Sequence, residues 1–471
     1  MSYFHIHRKS EIPEFAGITD SSVGRKTASF RMTAGAGWNA DYGDSSVGRE
    51  SASFRMTAHC GILVMLLLPV LARAQDSDSL SLHSFIRQAL ECNLELKAVR
   101  SGISSARSRV RQSSAYPEPR AGVEFMGTPV SSANFIRDAE EKRFFIEQMI
   151  PFPGKLSSAS AMAEAGVRVR EADAASIERT VIQNVKKGYI MMYAAQRRIR
   201  VNEDSQELLR NMIASAEARY GVGLSSQADV LRLNVELDRL KNERATLQYD
   251  LTIPMGMLNI LRAQPAETEI GALPEWDWKQ FDFDPDSLAA IAKSRRPELQ
   301  SMRFALDEMR AELTMARRER LPDFMVGGSY NVMMEMENRW QLMVGLSLPF
   351  APWASDKFSG RVEEIEYNFH SMEQRLAHME YMARFDVYDT WSRAKAHWES
   401  TERIRTSIIP KAEQALQSIL ALYQTRQADF ISLLDAYRMV NMERMNLYME
   451  MSDHLMQVFD LERAVGEELG N

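Results

Sequence analysis

The sequence predicts a mainly α protein with a small β part, arranged as a tandem repeat of long coiled-coil helices plus two β-hairpins. Three observations support this fold class. Charged residues make up 26% of the 471 positions, and 23 glycines and 16 prolines leave long uninterrupted stretches that favour helices. Short alternating segments typical of strands occur at two places. The order of elements in the first half of the chain recurs in the second half.

The N-terminal segment predicts export. Residues 61–71 (GILVMLLLPVL) form an apolar run that is too short to span a bilayer, and small residues ending at Ala74 follow it where signal peptidase cleaves. Residues 20–34 and 44–58 are near copies of each other without apolar periodicity, which favours a translated upstream repeat with the real start at Met56. We therefore expect residues 1–74 to be an upstream repeat and signal peptide that are removed.

The cysteines fit an exported protein that is held together without a disulfide. Cys60 precedes the apolar run and would leave with the signal peptide, so only Cys92 would remain. A lipid anchor on Cys60 is not expected, because a lipoprotein cysteine follows the apolar run. Packing and assembly must then supply the stability of the exported chain.

Charge and residue spacing exclude several classes of function. The net charge of −7, without a dense basic cluster, argues against nucleic-acid binding. The histidines are dispersed, and His370 and His378 stand eight apart instead of the four of a helical metal pair. No phosphate-cradling glycine loop or nucleophile grouping stands out. We therefore expect no catalysis, no cofactor and no resident metal site.

Methionine is abundant, with 29 residues, and Met333, Met334 and Met336 fall in the predicted loop of the second hairpin. Thioether clusters bind soft ions such as Cu(I). The wide spread of the methionines along predicted helices favours a packing role instead.

The first repeat, residues 75–263, begins with a helix over 80–114 whose apolar residues lie three and four apart. Alternating segments then predict a β-hairpin over 119–151. A helical pattern follows from Lys155 to about residue 218, which corresponds to about 96 Å of helix. The returning helix carries leucines at seven-residue spacing until Pro254 ends or kinks it.

The second repeat, residues 291–471, follows a connector over 264–290 that is rich in Pro, Trp and acidic residues. Its hairpin is predicted over 322–350. Its segment Leu348-Pro349-Phe350 matches Ile150-Pro151-Phe152 of the first repeat. The spacings of the two copies differ by only a few residues, so we expect the same order of helix, hairpin and long helical hairpin.

Each long helical hairpin turns at a short tip. In the first tip, near 220–226, Gly221 and Gly223 permit the positive φ that a tight reversal needs. Ser225 or Ser226 can then cap the returning helix.

The second tip, near 423–430, departs from this pattern. Aligning Tyr220 with Tyr423 without gaps places Arg426 at the position of Gly223. The glycine is therefore missing from the second tip, where we expect weaker or different contacts.

Each predicted strand is about ten residues long, which is enough for a tilted strand to cross a bilayer. Four strands do not close a sheet by themselves, and open edges are not tolerated in lipid, so strands of other subunits must complete it. Polar residues alternate with the apolar ones, and three of them, Arg120, Glu124 and Gln341, suit a wet lumen. Trp340 and Tyr330 suit the boundary of the lipid. An ordinary periplasmic domain with half-buried strands is the alternative.

Several segments together resemble the TolC-type outer-membrane efflux family. They are SLHSFIRQALECNLELKAVR (81–100), IPFPGK (150–155), ARYGVGLSSQADVL (218–231) and their second-half counterparts. The resemblance covers about 80–468, and IPFPGK is most similar to the metal-export branch of the family.

The resemblance implies an outer-membrane protein of the Gram-negative type with a periplasmic extension. Three identical protomers would give four strands each to a 12-stranded barrel in outer-membrane lipid, and the helices would form a periplasmic tunnel. Such a homotrimer is a passive exit duct for small molecules or metal ions, which an inner-membrane efflux pump delivers through a periplasmic adaptor protein.

The family also implies two kinds of site. The adaptor would dock at the tips, here Tyr220, Gly221, Val222, Gly223, Leu224 and Ser225 in the first and Tyr423 and Arg426 in the second. Family channels place carboxylates where the helices close, and Asp435 matches one such position while the other falls on Ser432. A threefold ring of Asp435, with Asp429 nearby, would attract cations. Both could instead be solvated tip charges.

A periplasmic coiled-coil adaptor or stalk protein without its own pore is the competing function. It would share the heptads and the signal peptide. It would not need a duplicated hairpin with lipid-suited faces.

Overall fold

The computed structural model describes residues 80–469, so the export segment predicted over residues 1–74, with Met56 and Cys60, lies outside the described residues. Within them, no helix is both long enough and apolar enough to cross a membrane. The elements, in chain order, are α1 (Leu82–Cys92), α2 (Leu94–Ser113), β1 (Arg120–Met126), β2 (Glu141–Ile150), α3 (Lys155–Gly221), α4 (Gln227–Leu261), α5 (Pro285–Arg295), α6 (Pro297–Glu319), β3 (Phe324–Met333), β4 (Arg339–Leu346), α7 (Pro352–Arg403), a π-helical turn (Ile404–Ile408), α8 (Ile409–Gln424) and α9 (Phe430–Val465).

The helix predicted over 80–114 is divided in two at Asn93. The Asn93 side chain accepts a hydrogen bond from the Leu96 N–H at 3.1 Å and donates one to the Leu261 carbonyl at 3.2 Å. An Asn that caps a helix takes non-helical backbone angles, which ends α1 and starts α2. The second half breaks at the matching place, where Arg296 is extended and Pro297 opens α6.

The long helices exceed the predicted lengths. Helix α3 has 67 residues and is therefore about 100 Å long. Helix α4 continues through Pro254 to Leu261, so the proline does not end it as one reading of the sequence expected. In the second half, the π turn at Ile404–Ile408 lies between α7 and α8 and inserts a local irregularity in the long helix.

Three apolar clusters hold the helices together. The largest joins α1, α3 and α9 around Phe85, Ile190 and Phe459. Trp276 of the connector packs against this cluster, while Phe281 belongs to a second cluster with α7 and α9. A third cluster, near the tips, joins α3 and α4 of the first half to α9 of the second. The two repeats are therefore packed along each other.

The two hairpins form one antiparallel sheet in the order β1-β2-β3-β4. The central pair aligns Glu141 with Met333 and Ile150 with Phe324. Residues almost 200 positions apart in the chain thus share a ladder. This pairing brings the polar faces of both hairpins to the same side.

Candidate functional site: a two-faced sheet and two helical tips

One face of the sheet is polar. The register places Arg120 opposite Glu147, and Glu124 opposite Arg143. The Glu124 and Arg143 side chains form an ion pair at 3.0 Å, and this face carries three arginines and three glutamates. These charged residues are Arg120, Arg143, Arg339, Glu124, Glu141 and Glu147. The predicted lumen residues Arg120, Glu124 and Gln341 therefore share one face.

The centre of the polar face is a hydrogen-bonded patch. Ser329 and Asn331 are 3% and 4% exposed. The Ser329 hydroxyl donates to the Asn331 side-chain oxygen at 3.1 Å, and the Asn331 amide donates to Gln341 Oε1 at 3.3 Å. Buried polar groups are stable only when paired, so the patch keeps this face rigid as well as polar.

The opposite face is apolar and uncovered. Trp340, Leu342 and Val344 are 82%, 79% and 71% exposed. Val123, Phe144, Ile146, Val326 and Leu346 lie on the same face, and all are exposed. A continuous apolar surface of this kind needs a covering partner, and an apolar outer band is what a membrane barrel presents to lipid. Tyr330 packs on Trp340 with ring centroids 4.8 Å apart, near one end of this band.

The sheet has two unpaired edges. Within the described residues, β1 pairs only with β2, and β4 pairs only with β3. Their outer backbone N–H and C=O groups lack a partner strand. In lipid such groups must be paired, which requires strands from another molecule.

The base of the sheet is fastened to the helices by Asp323. Its carboxylate pairs with the Lys155 ammonium at 2.8 Å and accepts a hydrogen bond from the Phe152 N–H at 2.9 Å. Gly154 lies between Phe152 and Lys155 in the chain and has φ of +94°. A Cβ on this residue would lie 2.6 Å from Arg318 Nη1. Lys155 and Gly154 belong to the IPFPGK segment, so the strand-to-helix junction of one half is tied to the other half.

At the first tip only one of the two glycines takes the expected backbone angles. Gly223 has φ of +74°, whereas Gly221 is the last residue of α3 and stays helical, so the prediction for Gly221 is wrong. Helical angles suit any residue there, and the reversal needs only one left-handed position. Ser226 is the cap: its hydroxyl accepts from the Asp229 N–H at 3.2 Å, and the Asp229 carboxylate accepts from the Ser226 N–H. Ser225 instead donates to the Asp229 carboxylate.

The first tip also exposes apolar side chains. Tyr220, Val222 and Leu224 are 49%, 69% and 43% exposed. They follow one another around the turn, and nothing lies within 4 Å of a Cβ added at Gly223. The predicted docking residues of this tip therefore form one open surface.

The second tip repeats the geometry with different residues. Arg426 has φ of +65°, in the position that Gly223 occupies in the first tip. Asp429 is the N-cap of α9 and accepts from the Ser432 N–H at 3.0 Å. Hydrogen bonds from the Ser432 side chain and backbone hold the pKa of Asp429 below its ordinary value. The N-cap and the residue three positions later are Ser226 and Asp229 in the first tip, and Asp429 and Ser432 in the second. The two residue types have therefore exchanged positions.

The tips are joined by contacts that the sequence analysis missed. The Arg219 guanidinium lies 4.6 Å from the centre of the Tyr423 ring, a cation–π contact between the two tips. Further along the helices, the Tyr437 hydroxyl donates to the Ser205 carbonyl at 2.8 Å, and burial raises the pKa of Tyr437. The partners of these tyrosines lie about 200 residues away in the chain, so only the packing of the helices reveals the contacts.

A carboxylate–arginine pair links the two helical hairpins beside Asp435. Glu236 of α4 accepts two hydrogen bonds from Arg438 of α9, at 3.1 and 2.6 Å. The Glu236 side chain is 10% exposed, and the bonds from Arg438 hold its pKa below the ordinary value. Arg438 Nη1 also lies 3.8 Å from Asp435 Oδ1, and the Asp435 side chain is 65% exposed. Asp435 thus points to solvent with one cation beside it.

Comparisons with known proteins agree with this architecture. The family model described as outer membrane efflux protein matches residues 85–255. Outer membrane protein TolC of Vibrio cholerae serotype O1 is 22% identical over 317 residues, which cover 64% of this chain and 71% of TolC. Cobalt-zinc-cadmium resistance protein CzcC of Cupriavidus metallidurans is 21% identical over 383 residues, 79% of this chain and 86% of CzcC. A membrane protein from Pseudomonas aeruginosa superposes with a TM-score of 0.70 at 17% identity, covering 82% and 90% of the two chains.

These similarities favour a channel over a stalk protein without a pore. The matched region begins in α1 and extends into α4, and both relatives align over most of their own length. Residues 85–255 therefore match the outer membrane efflux protein family, and the chain has the fold of solved outer-membrane channels such as OprN over 82% of its length.

Proposed function

We propose that three copies of this chain assemble into one exit duct, in which the polar faces of three sheets line a barrel lumen. The observation that carries this proposal is the sheet itself: one exposed apolar face, one polar face and two unpaired edges. Pairing β4 of one protomer with β1 of the next satisfies the backbone groups of both edges. Three sheets of four strands give a 12-stranded barrel.

The long helices would extend from the base of this barrel through the periplasm. Helix α3 is about 100 Å long, which suits a tunnel that ends far from the membrane. A duct without a motor must receive its solutes from other proteins. We infer that an adaptor docks on the exposed tip residues Tyr220, Val222 and Leu224, and that an inner-membrane pump supplies the energy.

Small molecules and metal ions are both candidate solutes. The similarity to CzcC, named for cobalt, zinc and cadmium resistance, supports metal ions. The strands place equal numbers of arginine and glutamate on the lumen face of the barrel. This face therefore has little net charge with which to select ions. Selection by charge would then take place at the tips, where a ring of three Asp435 carboxylates would favour cations.

Single-channel conductance in planar bilayers tests the duct. The detergent-extracted, crosslinked oligomer is expected to insert as a trimer and to give discrete openings in KCl. A soluble monomer that never inserts would overturn the barrel and favour a stalk.

The Asp435 ring is tested by the same recordings. In a KCl gradient, Asp435→Ala should reduce the preference for K⁺ over Cl⁻, because three carboxylates leave the constriction. Asp238→Ala is the matched control, since it removes an exposed carboxylate of α4 that pairs with Lys241 at 2.9 Å. Equal selectivity of the two variants would remove the ring from the proposal.

A further inference from the structure

All methionines of the four strands lie on the polar face. The register places Met149 opposite Met325, and Met343 opposite Gly327, on the side that carries Glu147 and Ser329. Met126 and Met333 share this face near its other end. The strand methionines are therefore Met126, Met149, Met325, Met333 and Met343.

Hydrophobicity does not explain this placement. Every Val, Leu and Ile of the four strands lies on the opposite, apolar face. They are Val123, Ile146, Ile150, Val326, Val332, Leu342, Val344 and Leu346. Methionine is similar to leucine in size and apolarity but differs by its polarizable thioether sulfur. Phe145 also lies on the polar face, so the segregation separates the thioethers from the aliphatic side chains.

Three of these side chains converge near the base of the sheet. Met149 and Met325 are direct cross-strand partners, and Met325 and Met343 are diagonal neighbours, so their Cβ atoms are separated by about 5 and 7–8 Å. Met325 faces Gly345, and Met343 faces Gly327. A Cβ on Gly345 would lie 3.4 Å from Met325 Cβ, and one on Gly327 would lie 3.3 Å from Met343 Cε. Glycine in a strand leaves room for a ligand, and here it leaves the thioethers uncovered.

The residues around the three methionines suit a cation that binds and is then released. Glu147 adjoins the cluster, because its Cβ would lie 3.1 Å from a Cβ on Gly327. Arg120 is paired with Glu147 at 3.9 Å. Neutral thioethers add no charge of their own, and a site in a conduit must bind weakly enough to release.

We propose that Met149, Met325 and Met343 form a thioether site for soft monovalent metal cations, of the Cu(I) and Ag(I) class, on the wall of the duct. Thioether ligands select such ions over borderline divalent ions, which prefer imidazole and carboxylate. This proposal rests on the proposed function, since it requires the polar face to be the lumen. A trimer would carry three such sites around one conduit.

Silver binding tests the site in the full chain. The detergent-extracted oligomer, with Cys92→Ser to remove the thiol that remains after export, is titrated with AgNO₃ in chloride-free buffer by isothermal calorimetry. The triple variant Met149→Leu/Met325→Leu/Met343→Leu is expected to bind roughly one Ag⁺ fewer per protomer. The matched control replaces three exposed helical methionines, Met382, Met442 and Met449, by Leu and should keep that ion.

Potassium conductance separates this proposal from the duct itself. All variants should conduct K⁺ alike, because leucine preserves the volume of methionine. Normal K⁺ channels with equal Ag⁺ binding in the triple variant and its parent would overturn the thioether site and leave the duct intact. Absence of channels in the parent would overturn both. Met149→Leu alone, at an exposed side chain, should weaken Ag⁺ binding by about tenfold or more and serves if the triple variant does not assemble.

Discussion

Replacing Arg438 by Met should loosen the tip end of the two helical hairpins. Arg438 of α9 makes two hydrogen bonds to Glu236 of α4, so it ties the second hairpin to the first. The substitution leaves the Glu236 carboxylate 10% exposed and without its main partner. A buried charge without a partner destabilises the packing around it.

The size of the effect follows from the exposure of the pair. Breaking a fully buried pair costs about 3–5 kcal/mol, and breaking an exposed one costs about 1 kcal/mol or less. Glu236 is nearly buried, while the Arg438 side chain is 42% exposed, so solvent screens part of the interaction. Arg239 remains 3.4 Å from Glu236 and retains some of the attraction. We expect a loss of about 2 kcal/mol of local stability.

Hydrogen–deuterium exchange at neutral pH measures this loss directly. Local opening of the tip limits exchange of the amides in α4 and α9 around the pair. A loss of about 2 kcal/mol corresponds to roughly 30-fold faster exchange, since about 1.4 kcal/mol is a factor of ten. Peptides from α1 and the connector should be unchanged.

The pH dependence has a definite sign. Hydrogen bonding from Arg438 lowers the pKa of Glu236, so its stabilising effect is complete above the ordinary carboxyl pKa of 4.5 and is lost as the pH falls through the lowered value. The difference between Arg438→Met and the parent should therefore shrink below about pH 4.5. Arg239→Met is the control, because it removes the exposed arginine next to the same carboxylate and should change exchange by less than about threefold. Equal effects of the two variants, or a difference that grows in acid, would refute the reasoning.

Three further changes test the turns and the barrel base. Arg426→Gly should stabilise the second tip by about 1 kcal/mol, because glycine takes φ of +65° without strain, and slower amide exchange at that tip would show it. Gly223→Val should impair efflux in cells while trimers persist on native gels, and Gly221→Ala should not; unimpaired efflux of Gly223→Val would remove the docking role. Asp323→Ala should lower the temperature at which the heat-modifiable barrel unfolds in detergent, as it removes an ion pair and the acceptor of a backbone N–H. Lys155→Met removes only the ion pair and should have the smaller effect; a reversed order would contradict this assignment.

Much of the architecture could be predicted because it depends on local patterns. Alternation along the strands fixes which residues share a face, and the strands at Phe324–Met333 and Arg339–Leu346 lie within the predicted hairpin. Glycine located the first helical reversal, and alignment of Tyr220 with Tyr423 located the second. The resemblance to the efflux family rests on the same segments, so the channel identity could be inferred before any contact was known.

The details of the candidate site could not be predicted, because they join residues far apart in the chain. The sequence did not show that Asp323 would meet Lys155, or that Glu236 would meet Arg438, since both contacts depend on how the two repeats pack. It also suggested a helical reversal with glycine at both positions of the first tip, whereas Gly221 remains helical.

Local sequence patterns predicted the repeat, the two-faced strands, the long helices and the resemblance to the efflux family, because periodicity and turn chemistry act over a few residues. The tertiary structure placed β2 beside β3 and Arg426 in the left-handed turn position, which no local pattern indicated. It also aligned the methionines of separate strands. These features follow from long-range pairing, which selects one register among many that local preferences allow equally.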